Sequence, residues 1–250
     1  TRDTGHQLEK TLLARRQSQR PMNKAPVPNS FANPLVVDAS STPVQVGIAG
    51  EEQWLRLESV ELPALEGLFR ATSLLLEKTG RKLREVDALF FCQGPGSTLG
   101  LRISAAFVKT ILWESDGQVP IYSYNALDLA SRMLERPPLH LQAPFRKGWR
   151  FVRFQNGDSA IGTKEIHESG EALSQFPESY HMPDPRGNAE SIDPSRMLTY
   201  DLSQSKGLLD LELVALPVES PDVYSPAPPS FKKWKSERDP AGEENPVRSP

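Results

Sequence analysis

Apolar and polar positions along this chain follow two periods, and the switches between them mark its elements. Leu35-Val36-Val37-Asp38 is a short unbroken apolar run ending on a carboxylate, the pattern of a strand buried on both faces. Val44-Gln45-Val46-Gly47-Ile48 alternates as a second strand, and Trp54, Leu57 and Val60 fall on a third. The turns between them, Ala39 to Pro43 and Gly50-Glu51, are short, which predicts an antiparallel meander. Leu62, Leu65, Leu68, Phe69, Thr72, Leu75 and Leu76 then recur at helical spacing. They predict an amphipathic helix over Pro63–Lys78, stopped at Gly80. Val86–Cys92 reads as a buried strand, Ile103–Trp113 as a helix, Pro120–Tyr124 as a strand, and Ala126–Leu134 as a helix ended by Pro137-Pro138. The order βββαβαβα gives a mixed sheet with helices packed on it.

The pattern weakens in the second half. Trp149–Phe154 alternates, Gly157-Asp158 predicts a hairpin turn toward Ala160-Ile161, and Glu165–Gln175 reads as a short helix. Ser179–Met182 reads as a short strand, Pro183–Ser205 has little apolar periodicity, and Leu208–Leu216 is apolar enough to be ordered. We therefore expect a first lobe over 34–136 and a small second lobe over 137–216. A basic N-terminal tail over 1–33 and a proline-rich C-terminal tail over 217–250 are expected to be largely disordered. The N-terminal tail suits a solvated leader or a nucleic-acid arm, and Met22 is an alternative natural start.

Composition narrows the function classes. A net charge of −3 and a pI of about 5.9 give no global field toward nucleic acid or membrane. No apolar run approaches a membrane span, so no membrane partner is expected. The single cysteine, Cys92, sits inside an apolar strand, which predicts a buried thiol in a reducing, cytoplasmic setting. His6, His140, His167 and His181 include no pair one helical turn apart, so no metal site of that kind is expected. No catalytic set of Ser-His-Asp or Cys-His type suggests itself, and we assign no catalytic residue.

The stretch that organises the chain is Gln93-Gly94-Pro95-Gly96-Ser97-Thr98-Leu99-Gly100-Leu101-Arg102, a glycine-rich turn between a strand and a helix. Glycine suits such a turn because it takes positive φ and admits close backbone. Ser97 or Thr98 can cap the helix, whose start favours anions. The lysine of a P-loop is missing, and the glycine spacing is not that of a dinucleotide-binding turn. Two readings stay open. Asp38, Gly94, Gly96 and Ser97 are a vestigial phosphate site, or the turn is a ligand-free connection with Asp38 capping its own loop.

Taken with the βββαβα order, Gly94–Ile103, the helix containing Phe107-Val108-Lys109, and Pro120–Ala130 resemble the TsaB (YeaZ) family of bacterial tRNA threonylcarbamoyladenosine biosynthesis proteins. Val37-Asp38-Ala39-Ser40-Ser41 is similar to that family's opening strand and turn, and Leu83–Ala88 to its approach to the fourth strand. Pro221-Asp222-Val223-Tyr224 resembles its closing motif. The resemblance covers about Leu35 to Leu134 and is faint beyond. Ser97-Thr98-Leu99-Gly100, Ser59-Val60-Glu61 and Ala143–Gly148 depart from the family pattern, which marks a divergent member.

The resemblance implies an α/β fold of the actin/Hsp70-like ATPase type, with a ribonuclease-H-like lobe and a reduced second lobe. In ATPases of that fold a carboxylate at the end of the first strand, the place of Asp38, lies near the phosphates. The resemblance also implies a non-catalytic scaffold that pairs with a TsaD-type paralogue, joined by a TsaE-type ATPase. That complex transfers threonylcarbamoyl to the adenosine beside the tRNA anticodon. No cofactor of its own is implied; ATP is allowed for at a complex interface, and tRNA contact is indirect. Family members pair, as homodimers or heterodimers, through the two helices that stand here at Pro63–Lys78 and Leu101–Trp113. The interface candidates are Leu65, Phe69, Arg102, Ala105, Val108, Lys109 and Leu112, each of which has core packing or solvated charge as its alternative. Phe231-Lys232-Lys233-Trp234-Lys235 interleaves aromatics with lysines, suiting tRNA contact or a plain basic tail. Two rival functions stand beside the scaffold: an ATP-binding kinase or ATPase of the same fold, and a repurposed interaction module without a tRNA role.

Overall fold

The computed structural model of the chain describes residues 31–184 and 192–222. The readings on the N-terminal tail, on Phe231–Lys235 and on Val223-Tyr224 lie outside the described residues. The first three strands are β1 (Pro34–Asp38), β2 (Val44–Ala49) and β3 (Trp54–Val60), paired antiparallel as expected. Helix α1 (Ala64–Thr79) follows and ends where Gly80 takes a left-handed φ of 66°. Strand β4 (Ala88–Cys92) returns parallel to β1, and the glycine turn leads into α2 (Thr98–Glu114). Strand β5 (Ile121–Tyr124), parallel to β4, and α3 (Ala126–Arg132) complete the run.

Strands β1 and β4 are buried at every residue, because the sheet is covered on both faces. Their alternate side chains divide the core in two. Leu35, Val37, Leu89 and Phe91 join Leu68 and Leu75 of α1 and Val108 and Ile111 of α2 on one face. Val36, Phe90 and Cys92 face the other way, toward Tyr122, Leu127 and the second half of the chain.

That second half forms a four-stranded sheet among the described residues. β6 (His140–Arg146), β7 (Trp149–Asn156) and β8 (Ser159–Glu168) make an antiparallel meander, and β9 (Tyr180–His181) lies parallel to β6. The helix expected over Glu165–Gln175 is corrected: β8 runs on to Glu168, and the helix, α4, is Ser169–Gln175. Pairing of Arg150 with His167 and of Trp149 with Glu168 extends the ladder past the point where local periodicity turned ambiguous. Strand β6 carries little local signal because Pro144 interrupts it. The proline is tolerated where the register shifts between Pro144 and Arg146.

After a 3-10 turn at Leu202–Gln204, helix α5 (Leu208–Val214) packs Leu208, Leu211 and Val214 onto the Phe90–Tyr122 face. The chain then rejoins the first sheet: β10 (Leu216–Val218) pairs antiparallel with β5 and gives the order β10-β5-β4-β1-β2-β3.

Candidate functional site

Asp38 closes β1, and the local sequence fixes its first contact: the Ser40 N–H donates to Oδ1 at 2.8 Å, a side-chain turn that the small residues of Ala39–Ser41 permit. Its second oxygen is engaged from far along the chain. The Tyr124 hydroxyl of β5 donates to Oδ2 at 2.8 Å, and the Tyr200 hydroxyl, 162 residues away, donates at 2.7 Å. Asp38 is 2% exposed. Burial, and after it the Asp38 charge, pushes both tyrosine hydroxyls and the Cys92 thiol well above their ordinary ranges. All three are therefore protonated at neutral pH, and Cys92 is no nucleophile in this state.

The glycine turn lies against that carboxylate. Ser97 caps α2, its Oγ accepting from the Gly100 N–H at 3.2 Å. The Ser97 N–H donates to the Ser40 carbonyl at 2.6 Å, and the Gly94 N–H to Cys92 Sγ at 3.3 Å. A Cβ on Gly96 would stand 2.2 Å from the Ser40 carbonyl oxygen, and one on Gly100 1.8 Å from that of Ala39. These two glycines thus serve a close backbone approach. Asp38, Gly94, Gly96 and Ser97, named together from the sequence, do come together in space.

The helical candidates divide. Leu65 and Phe69 of α1 are 54% and 57% exposed, and the Phe69 ring meets Phe107 of α2 edge-on at 6.1 Å. Leu62 and Leu99 are exposed too. Arg102 and Lys109 point outward, Lys109 lying 5.6 Å over the exposed Trp113 ring. Ala105 and Val108 are corrected as interface candidates: both are buried, Val108 among the side chains between the helices and the sheet. Leu112 is half-buried against the same cluster.

A second polar constellation escaped the sequence. Asp128 of α3 is buried and takes Arg153 Nε at 2.7 Å and the Gly162 N–H at 2.9 Å on Oδ1, with Lys164 Nζ on Oδ2. Arg153 is fully buried, and its other nitrogens reach Gln155 and the Ala160 carbonyl. Burial holds the Lys164 ammonium below its usual range, against the pull of Asp128. The only signal in the sequence was a lone Asp on the apolar face of Ala126–Ala130. Nothing local pairs it with residues of a later hairpin.

No family model matches this chain, and no curated protein matches it in sequence. Solved structures do match. One described as an uncharacterized protein with similarity to peptidase YeaZ from Pseudomonas aeruginosa is similar over 72% of this chain and 88% of its own, at 20% identity and a TM-score of 0.50. YeaZ from Pseudomonas aeruginosa is similar over 55% of this chain and 68% of its own, also at 20% identity, with a TM-score of 0.45. Component A of the (R)-2-hydroxyglutaryl-CoA dehydratase of Acidaminococcus fermentans shares 12% identity over 59% of this chain and 54% of its own, at a TM-score of 0.35. At such identities the likeness speaks for architecture. The chain carries the mixed α/β, ribonuclease-H-like fold found in YeaZ-like proteins, on a widely diverged sequence.

Proposed function

We propose that this chain is a TsaB-like scaffold subunit without chemistry of its own. It would dock on a TsaD-type catalytic paralogue, served by a TsaE-type ATPase, in the transfer of threonylcarbamoyl to the adenosine beside the tRNA anticodon. The observation that carries the reading is the outward face of α1 and α2. Leu65 and Phe69 of α1 and Leu99 of α2 expose apolar surface on the helices that pair in the family the sequence resembles, with Leu62 exposed just ahead of α1 and Phe107 half-buried against Phe69. Large apolar side chains left in water on successive turns of one helix, as Leu65 and Phe69 are, suit an interaction site. Arg102 and Lys109 stand outward on α2 and supply polar partners at its rim. The closure of Asp38 by protein donors supports the non-catalytic side of the reading over a kinase or ATPase.

Co-expression with the host's TsaD-type protein, followed by affinity capture and light scattering, tests it. A stoichiometric heterodimer is expected, lost on Leu65→Glu with Phe69→Glu while the variant's melting temperature stays near that of the parent. A chain that stays a monomer or self-dimer in the mixture would sink the reading. A repurposed interaction module would then take its place.

A further inference from the structure

A fold of the actin and Hsp70 type implies a nucleotide whose phosphates lie beside a strand-end carboxylate and a glycine turn. The residues here do not fit that group. Both Asp38 oxygens are engaged by Ser40, Tyr124 and Tyr200. The N–H groups of Gly94, Ser97 and Gly100 are spent on Cys92, Ser40 and Ser97. The space against Gly96 and Gly100 is filled by the backbone of Ala39 and Ser40.

What closes the remaining side is a segment of the second half. Residues 198–205 leave the second sheet where the Leu198 N–H donates to the His181 carbonyl at 2.8 Å. They then cross three strands of the first sheet and are fastened to each. On β1, Tyr200 reaches Asp38 at 2.7 Å. On β2, Gln45 grips the segment twice, donating to Asp201 Oδ1 at 2.7 Å and accepting from the Leu202 N–H at 2.9 Å. On β3, Trp54 Nε1 donates to the Leu202 carbonyl at 2.7 Å. Leu202 is fully buried beneath. The fastening combines apolar burial with directed hydrogen bonds, so it fixes position as well as adhering.

We infer that residues 198–205 are a built-in plug, with Tyr200 as its bolt, which locks the carboxylate-and-glycine site against nucleotide and shuts Cys92 away from solvent. The plug also ties the second half to the meander. The inference holds whether or not the chain docks a TsaD-type partner.

The sole cysteine is its reporter. With the intact protein, millimolar MgATP or MgADP leaves the melting temperature unchanged and gives no heat in calorimetry. Cys92 reacts with a thiol reagent only as fast as global unfolding, measured separately in urea, allows. In Tyr200→Ala, labelling under native conditions outruns that limit by about tenfold or more, the scale on which a lost hydrogen bond shifts an opening equilibrium. Tyr200→Phe keeps the packing and shows a smaller acceleration. If Tyr200→Ala does not fold, Gln45→Ala unhooks the same segment without touching the Asp38 contacts, and the same acceleration is expected there. Stabilisation of the parent protein by nucleotide overturns the plug. So does labelling in the folded variant that is no faster than its own unfolding.

Discussion

Two of the buried carboxylates, Asp38 and Asp128, each join distant parts of the chain, and they are compensated in opposite ways. Asp38 is met by neutral donors alone, a backbone N–H and two tyrosine hydroxyls. Asp128 is met by two cations, Arg153 and Lys164, and by one backbone N–H. The first stitches a late segment onto the end of β1; the second stitches α3 onto the β7–β8 hairpin. Neutral donors satisfy a carboxylate without burying further charge, so their individual loss is modest. A charged set leaves a stranded ion when any member goes, and a buried unpaired charge is far more costly.

The comparison can be broken hardest at Asp128. Asp128→Ala leaves Arg153 fully buried without its counter-ion and is expected to cost about 3–5 kcal/mol in urea unfolding. A triple variant carrying Leu at 128 and Met at 153 and 164 should recover most of that loss. Failure to recover would show that shape, and not charge, sets the cost.

Acid probes the anchor of the plug next. His181 is buried, and burial, followed by the neighbouring Arg150 and Arg196 charges, lowers its pKa to about 4. Arg150 Nη2 lies 3.2 Å from its Nδ1. The unfolded state binds the proton first, so stability falls as pH drops from about 6.5 toward 4. The loss amounts to as much as about 3 kcal/mol. His181→Gln should flatten that part of the pH profile, and an unchanged slope would refute the assignment.

Smaller still is the neutral carboxylate. Tyr200→Phe removes one of three donors to Asp38, and about 2 kcal/mol, the scale of a hydrogen bond to a charged group, is expected from denaturant midpoints at constant m. A loss as large as that of Asp128→Ala would erase the contrast between the two sites. The least effect on stability is expected on the outer face of α1, where Phe69→Ser should stay within about 0.5 kcal/mol while weakening association.

Much of the first half was legible because its signals are local. The apolar runs at Leu35–Asp38 and Val86–Cys92, the helical spacing from Leu62 to Leu76 and the glycine turn each specify an element within a few residues. Gly80 as a stop and a cap at Ser97 or Thr98 followed from chemistry that needs no tertiary partner, and the structure places the cap at Ser97. Which positions of α2 face the sheet was not legible, since Val108 and Leu112 are both apolar and only the packed helix buries the first fully and the second in part. Strand β6 and the far end of β8 were hidden for a related reason. Their pairing lies across the sheet, and the ladder overrode a proline and an ambiguous helical period.

The sequence by itself thus determined the elements of the first half, and it offered the contact of Asp38 with its own turn as one of two readings. Tertiary structure alone decided what seals that carboxylate, because Tyr200 lies 162 residues away in a stretch without periodicity. It decided the ion set around Asp128 as well, whose cations lie 25 and 36 residues further along the chain. Periodicity reports what a segment does with its own neighbours. Partners for a buried polar group are chosen by the fold, which brings distant donors to a charge that cannot remain unpaired away from water.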